Sequence, residues 1–306
     1  MGLVTVGDTM LAERFTEHRG HLVGVAYRLT GTLADAEDAV QDAWLRLSTV
    51  DDPDQIRDLR GWLTTVVGRL CLDRLRSAAV RRERYVGPWL PEPVVTPLGG
   101  SPGENPLDAV VRDDGVRMAA LVVLDRLTPE QRVAFVLHDA FAVPYADIAA
   151  KLGCTEATAR QHASRGRRTA AEADPPPRAE LAEQQEVLTR FLAALASGDV
   201  SAVVELLHPD VVFTGDSDGK ARTSRHRIEG TDKIARFLIG LLQMYGLDKM
   251  AVLSPVLVNG DLGMVAPEVP GPRPLNRRVT TFAVRDGRIA AIYDIVNPDK
   301  LVRVPE

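Results

Sequence analysis

Residues Thr128 to Arg168 read TPEQRVAFVLHDAFAVPYADIAAKLGCTEATARQHASRGRR, and this stretch decides how the chain is understood. Thr128 is placed to cap a first helix, with Pro129 in its first turn and Gln131 three residues on, the spacing of a capping box. Pro144 opens a second helix whose inward positions are Ile148, Ala149 and Leu152. Gly153 supplies the turn, and Thr155 caps a third helix carrying Thr158, Ala159, Arg160, Gln161, Ser164 and Arg165. Small residues at Ala149 and Ala159 let the last two helices approach closely, while the polar side of the third stays free for a major groove. This is the grammar of a helix-turn-helix. Other helical hairpins share it, so the reading needs independent support.

Working outward, four segments separate by composition. Residues 9–85 are helical and arginine-rich, with Leu33, Ala36, Val40, Ala43 and Leu47 at three- and four-residue steps, as are Leu63, Val66, Val67 and Leu70. Residues 86–107 carry Pro88, Pro91, Pro93, Pro97, Pro102 and Pro106 and are expected to lack regular structure, as a linker. Residues 108–172 hold the helix-turn-helix. After Pro175, Pro176 and Pro177 comes a segment of different character, 180–306: helices first, then strands at 252–258, 262–266, 279–284 and 289–296. The turns Asn259-Gly260 and Asp286-Gly287 are hairpin signals, so an α+β cone with a curved antiparallel sheet is expected. The fold class is therefore multidomain, two all-α modules followed by an α+β domain.

The net charge of −5 at first argues against nucleic acid, but the distribution decides otherwise. Asp35 to Asp58 holds eight acids against two arginines, and Arg60 to Arg84 seven arginines against two acids. Arg160 to Arg168 adds four arginines and no acid. Phosphate affinity follows local basic density rather than the total. No run of about 18 apolar residues occurs, so no membrane span is expected. The first residues, MGLVTVGDTMLAERF, lack the layout of a secretory signal. Cys71 and Cys154 read as small buried thiols of a reduced, cytoplasmic protein, with no metal site and no cofactor.

The block Asp35-Ala36-Glu37-Asp38-Ala39-Val40-Gln41-Asp42-Ala43-Trp44, then Arg60-Gly61-Trp62-Leu63 and Asp73-Arg74-Leu75-Arg76, resembles region 2 of the extracytoplasmic-function sigma factors. Thr128 to Arg168 is similar to region 4 of the same class, in the expected order. The resemblance implies a non-enzymatic protein that brings RNA polymerase core to promoter DNA. It implies that Asp35, Glu37, Asp38, Gln41 and Asp42 contact the polymerase. Arg60, Arg69, Arg74, Arg76, Arg81 and Arg82 would then serve promoter melting, where phosphates of separated strands need cations. Thr158, Arg160, Gln161, Ser164 and Arg165 would meet the upstream element, with Arg167 and Arg168 on its backbone.

Within the linker, Trp89-Leu90-Pro91-Glu92-Pro93 displays a Trp-Leu pair between prolines, which is apolar for a free linker and is expected to dock. It resembles the signature of one subgroup of these factors, whose C-terminal extension has the SnoaL-like fold. Asn297-Pro298-Asp299-Lys300-Leu301 matches that subgroup's second signature. Asp216-Ser217-Asp218-Gly219-Lys220 matches the third in altered form, without its glycine run. The resemblance implies that the cone regulates the other modules in cis by docking on the linker through these residues, in a protein that is monomeric when free. A calcium loop beginning at Asp216 is rejected, because Arg227 stands where the closing glutamate belongs. His208, Asp210, Asp216, His226 and Asp294 are the candidates for chemistry in the cone, where structural regulation is favoured over a small-molecule ligand, and a ligand over catalysis. Two other classes stay open: a ligand-responsive DNA-binding regulator that works without polymerase, and a SnoaL-like enzyme tethered to DNA.

Overall fold

The structure is a computed structural model that describes residues 6–99 and 114–305. The chain divides into two compact units, one of Met1–Glu83, Pro102–Val116 and Ala120–Asp174, the other of Arg84–Ser101, Arg117–Ala119 and Pro175–Glu306.

The first unit is all helical. Helices α1 (Val6–Thr30), α2 (Leu33–Ser48) and α3 (Leu59–Arg82) form one module. Its core is the set the periodicity identifies: Ala36, Ala43 and Leu47 on α2 and Leu63 and Val67 on α3 are fully buried against Leu22, Val25 and Leu29 of α1. Thr32 caps α2 by accepting from the Asp35 N–H. Next come α4 (Met118–Leu124), α5 (Pro129–Phe135), α6 (Tyr145–Leu152) and α7 (Glu156–Ala173). The Thr128/Gln131 capping box is formed in both directions, and Thr155 caps α7 by accepting from the Thr158 N–H. Gly153 ends α6 at φ 68°, the left-handed conformation that glycine adopts without steric penalty.

Between α5 and α6, Val136–Ala140 winds as a π-helical turn. Leu137 of that turn lies so close to α3 that a Cβ on Gly68 would stand 2.6 Å from its Cδ1. Gly166 plays the same part between α5 and α7, since a Cβ there would sit 2.8 Å from the Phe135 Cβ. The two helical modules thus pack closely on one another at Gly68, and α5 packs closely on α7 within the second module at Gly166.

The second unit is the cone. Helices α8 (Leu181–Ser197), α9 (Val200–Glu205) and α10 (Thr231–Tyr245), with the short α11 (Leu247–Met250), accompany a seven-stranded sheet in the order β1-β4-β5-β6-β7-β2-β3. The strands are β1 (Val95–Pro97), β2 (Leu207–Asp216), β3 (Ile228–Glu229), β4 (Ser254–Val258), β5 (Asp261–Ala266), β6 (Arg278–Arg285) and β7 (Arg288–Ile295). Asn259-Gly260 and Asp286-Gly287 make the expected hairpin turns, all four residues at positive φ, as type I′ geometry requires. Phe191, Val203, Phe213, Ile234, Ile289 and Ile292 lie in its core.

Three expectations are corrected. The sheet is mixed, because β2 pairs with β7 in parallel. Nor do the linker prolines exclude regular structure: Val95–Pro97 is an edge strand antiparallel to β4, a position where proline's missing N–H is tolerated. Pro102 and Pro106 of that linker lie outside the described residues. Finally, Cys71 is buried, with burial pushing its thiol up to about 12, but Cys154 is only half-buried. Among the described residues no helix is long and apolar enough to cross a membrane.

Candidate functional site

The third helix of the helix-turn-helix, α7, turns Gln161, Ser164, Arg165 and Arg168 outward, all exposed and spaced so that they share one face. Arg160 is exposed too, held 2.5 Å from Glu156 and over the Tyr145 ring at 5.4 Å. The Thr158 hydroxyl is taken up locally, 2.9 Å from the Thr155 hydroxyl at the cap. Arg167 leans back on Asp139.

The arginines of α3 are occupied differently. Arg69 donates to the Lys151 carbonyl of α6 at 2.8 Å. Arg76 gives two hydrogen bonds to one oxygen of Glu130 on α5, at 3.0 and 2.8 Å. Burial pushes the Glu130 carboxyl up, but the Arg76 contacts together with a backbone hydrogen bond outweigh it and hold the group below its usual range. Arg82 pairs with Asp125, which also accepts from Arg132 at 2.8 Å, and Arg132 reaches back to the Leu29 carbonyl of α1 at 3.0 Å. Arg69, Arg76 and Arg82 are therefore directed at the helix-turn-helix module. Arg74 pairs with Asp42 at 2.8 Å, and the Arg81 side chain lies outside the described residues.

Arg60 donates to His21 Nδ1 at 3.1 Å, which leaves Nε2–H to donate to Thr64 Oγ1 at 3.0 Å. The ring stands edge-on to Phe141 of the other module, centroids 5.2 Å apart. Burial first, then the Arg60 charge, lowers the His21 pKa to about 4. A histidine kept neutral in the packed form but free to charge when exposed adds stability that is present above its unperturbed value of about 6.5 and lost as pH falls toward 4. Closure between the modules should therefore weaken over that window. Small-angle scattering of the wild type from pH 7 to pH 4.5 is expected to show expansion, and His21→Gln should shift its midpoint.

On α2 the acidic set divides. Asp35 accepts from the Thr32 hydroxyl at 2.7 Å and Asp42 holds Arg74, while Glu37 is half-buried. Asp38 and Gln41 are exposed, and with Ala34 and Leu45, the latter 54% exposed, they form one outward face. A large apolar residue on an acidic face suits a partner surface rather than solvent.

In the cone unit, the linker and the two C-terminal signatures meet around Asp216, which is fully buried. One oxygen accepts from the Tyr85 hydroxyl at 2.5 Å, the other from the Leu90 N–H at 2.7 Å and from Lys300 Nζ at 2.6 Å. Lys300 also donates to the Leu90 carbonyl and sits 4.2 Å from the centre of the Trp89 ring. Asn297 donates to the Tyr85 hydroxyl at 2.8 Å. Burial first, then the Asp216 charge, pushes the Tyr85 phenol well above its usual value, so it stays a donor. Around this knot, Asp218 accepts from the Val86 N–H at 3.2 Å, and Lys220 joins Asp218 to Asp299 at 3.0 and 2.5 Å. Gly219, at φ +70°, passes close under Val86. Leu90, Pro91, Glu92, Pro93 and Leu301 are buried, Glu92 lying 3.9 Å from Arg303, while Pro298 and Asp299 are exposed.

The cone grips the chain a second time. Arg117, 7% exposed in its side chain, donates to Asp261 at 2.9 Å and to the Pro176 carbonyl at 2.9 Å. Val94 and Asn259 exchange hydrogen bonds at 3.1 and 2.8 Å. Tyr85, Arg117, Asn259 and Asp261 are not picked out by the sequence as docking residues, and Asn259 is legible only as part of a hairpin turn. The apolar display of Trp89-Leu90 and the resemblance of the linker and C-terminal signatures are what signal that the linker docks. Of the cone's other candidates, Asp210 is exposed, His208 lies 3.9 Å from it, and Asp216 belongs to the linker contact. They do not converge with Asp294.

Family models match the chain as sigma-70 region 2 over residues 14–81, sigma-70 region 4 over residues 117–169 and a SnoaL-like domain over residues 188–292. The ECF RNA polymerase sigma factor SigJ of Mycobacterium tuberculosis H37Rv is 54% identical over 306 residues, covering 97% of this chain and 95% of the relative. The probable ECF RNA polymerase sigma factor SigI of the same species is 40% identical over 206 residues, covering 66% of this chain and 68% of the relative. The crystal structure of the M. tuberculosis extracytoplasmic function sigma factor SigJ is similar at a TM-score of 0.80 and 50% identity, covering 95% of this chain and 98% of that one.

Proposed function

The chain belongs to the extracytoplasmic-function sigma factors, with regions 2 and 4 and a fused SnoaL-like domain, and from that premise we propose that it directs RNA polymerase core to promoter DNA under control of its own C-terminal cone. The outward face of α2, with Asp38, Gln41 and Leu45, is the polymerase contact. The arginines of α3 act on the melted downstream element, and Gln161, Ser164, Arg165 and Arg168 of α7 act on the upstream one.

One observation carries the regulatory part. Arg69, Arg76 and Arg82 contact region 4, so these guanidinium groups are turned toward that module and away from nucleic acid in this arrangement. The packed form is thus the resting form, and promoter engagement requires regions 2 and 4 to separate. The cone governs that separation by taking 85–97 and Arg117 out of the span that lets the two modules move apart.

Co-purification with core polymerase at low salt, followed by run-off transcription from a candidate promoter, tests the reading. Absence of a complex removes it. Asp38→Arg with Leu45→Ala should weaken core binding by about ten-fold or more while leaving the melting temperature unchanged, since both positions are exposed. Unaltered affinity would move the polymerase contact elsewhere.

A further inference from the structure

Inside the cone lies a cavity of about 320 Å³, within the range of small-molecule sites. Its walls are apolar, among them Phe191, Leu238, Leu241, Met264, Phe282 and Ile292. Its polar lining includes one cluster, Arg278 and Thr280 on β6 and Asp294 on β7. The strand register places that cluster: Thr280 is opposite Asp294 and Phe282 opposite Ile292, so alternate residues of both strands look into the same space.

We propose that this cavity binds a small neutral molecule with an apolar body and a single hydroxyl-type head, the head resting on Asp294, Thr280 and Arg278. Asp294 is 4% exposed in its side chain and accepts from Thr223 and Thr280 hydroxyls at 2.7 and 3.0 Å, with Arg278 3.7 Å away. An anion would bring a second negative charge against that carboxylate in an apolar enclosure, and a cation would face Arg278. A neutral group that both donates and accepts meets neither penalty. It can donate to the carboxylate, which has lone pairs left, and accept from the guanidinium, whose other contacts are long, 3.5 Å to the Asn276 and Arg222 carbonyls. Lys249, the remaining charge on the lining, is turned to the Arg273 carbonyl and the Tyr245 ring.

The head site adjoins the linker contact. Thr223 reaches Asp294 only because residue 215 is glycine, where a Cβ would stand 2.3 Å from the Thr223 hydroxyl. Thr223 belongs to the segment that opens with Asp218 and Lys220, and Asp294 precedes Asn297 by three residues on the same strand end. A ligand on Asp294 therefore bears on both chain segments that grip residues 85–90. This consequence rests on the regulatory reading above; the binding site does not.

The test uses the full chain and three probes of one shape: 4-propylphenol, propylbenzene and 4-propylbenzoate, measured by ligand-observed NMR and calorimetry at pH 7. The phenol is expected to bind at least ten-fold more tightly than the other two. Leu241→Trp, which fills the cavity, should abolish binding, and Thr280→Val should reduce the phenol's advantage over propylbenzene to within a few-fold. No binding by any probe overturns the proposal, as does binding that Leu241→Trp leaves intact. Tighter binding of the benzoate overturns the neutral-head assignment. If no probe binds while linker variants still alter transcription, this inference alone falls; if the phenol binds and linker variants have no effect, the regulatory reading falls and the site stands.

Discussion

Asp216→Ala is expected to release residues 85–97 from the cone and change promoter output by an order of magnitude or more. Asp216 is fully buried and is the common acceptor for the Tyr85 hydroxyl, the Leu90 N–H and the Lys300 ammonium. Alanine leaves that ammonium, 8% exposed, without its counter-charge. Removing one partner of a buried pair costs about 3–5 kcal/mol, far more than the pair itself contributes net. The chain can escape the penalty in one direction only. Residues 207–216 are held between β7 and the short β3, whereas the linker is held by an edge strand and side chains. Peeling the linker away hydrates Lys300, Tyr85 and Leu90 together. Faster limited proteolysis between Tyr85 and Val95 and a red-shifted Trp89 emission are the expected readouts, with transcription as the functional one. Asp216→Asn combined with Lys300→Gln keeps hydrogen-bonding shape without buried charge and should restore much of the docking. A single Asp216→Ala variant with wild-type proteolysis and wild-type promoter output would remove the linker contact as a control point.

Much of the fold was readable because its determinants are local. The Thr128 and Thr155 caps, the Gly153 turn and the hairpin turns at Asn259 and Asp286 are each set by a few adjacent residues, and the structure forms them all. The buried faces of α2 and α3 follow from helical periodicity in the same way. What escaped depends on distant partners. Val95–Pro97 reads as loop because its prolines are visible and its pairing with β4 is not. The parallel β2–β7 pair has no signature in either strand. Gly68 looks like a weak point in a helix until Leu137 is seen against it. The arginines of α3 are the instructive case. A guanidinium suited to a phosphate is equally suited to a carboxylate or a carbonyl, so residue type announces an anion-facing group without saying which anion it meets. The structure supplies Glu130, Asp125 and the Lys151 carbonyl as the resting answer. Asp294 was legible as a candidate acid, while its Thr280, Thr223 and Arg278 surroundings were not.

Asp125→Ala should shift the first unit from packed to separated modules. Asp125 accepts from Arg82 of α3 and from Arg132 of α5, and Arg132, 4% exposed in its side chain, spans the seam to the Leu29 carbonyl. In the packed form the alanine variant leaves Arg132 buried on a single carbonyl. In the separated form Arg132 loses its Leu29 partner but gains water, and its former pair with Asp125 is a solvated one worth about 0–1 kcal/mol. The cost of a broken buried pair therefore falls mostly on the packed form. Setting about 3–5 kcal/mol against that smaller loss leaves about 2–5 kcal/mol in favour of opening. At about 1.4 kcal/mol per factor of ten, the ratio of separated to packed form should rise by roughly 30- to 4,000-fold. Single-molecule energy transfer between labels on α2 and α7 would read this as a new low-transfer population, accompanied by stronger promoter retention of the polymerase complex. Glu130→Ala is the graded comparison. Its partner Arg76 is 47% exposed and can hydrate in place, so the shift should stay within a few-fold. An Asp125→Ala protein that melts at lower temperature while keeping the wild-type transfer distribution would mean that Asp125 only stabilises its own module, and that the seam is held by Leu137 against Gly68 rather than by charge.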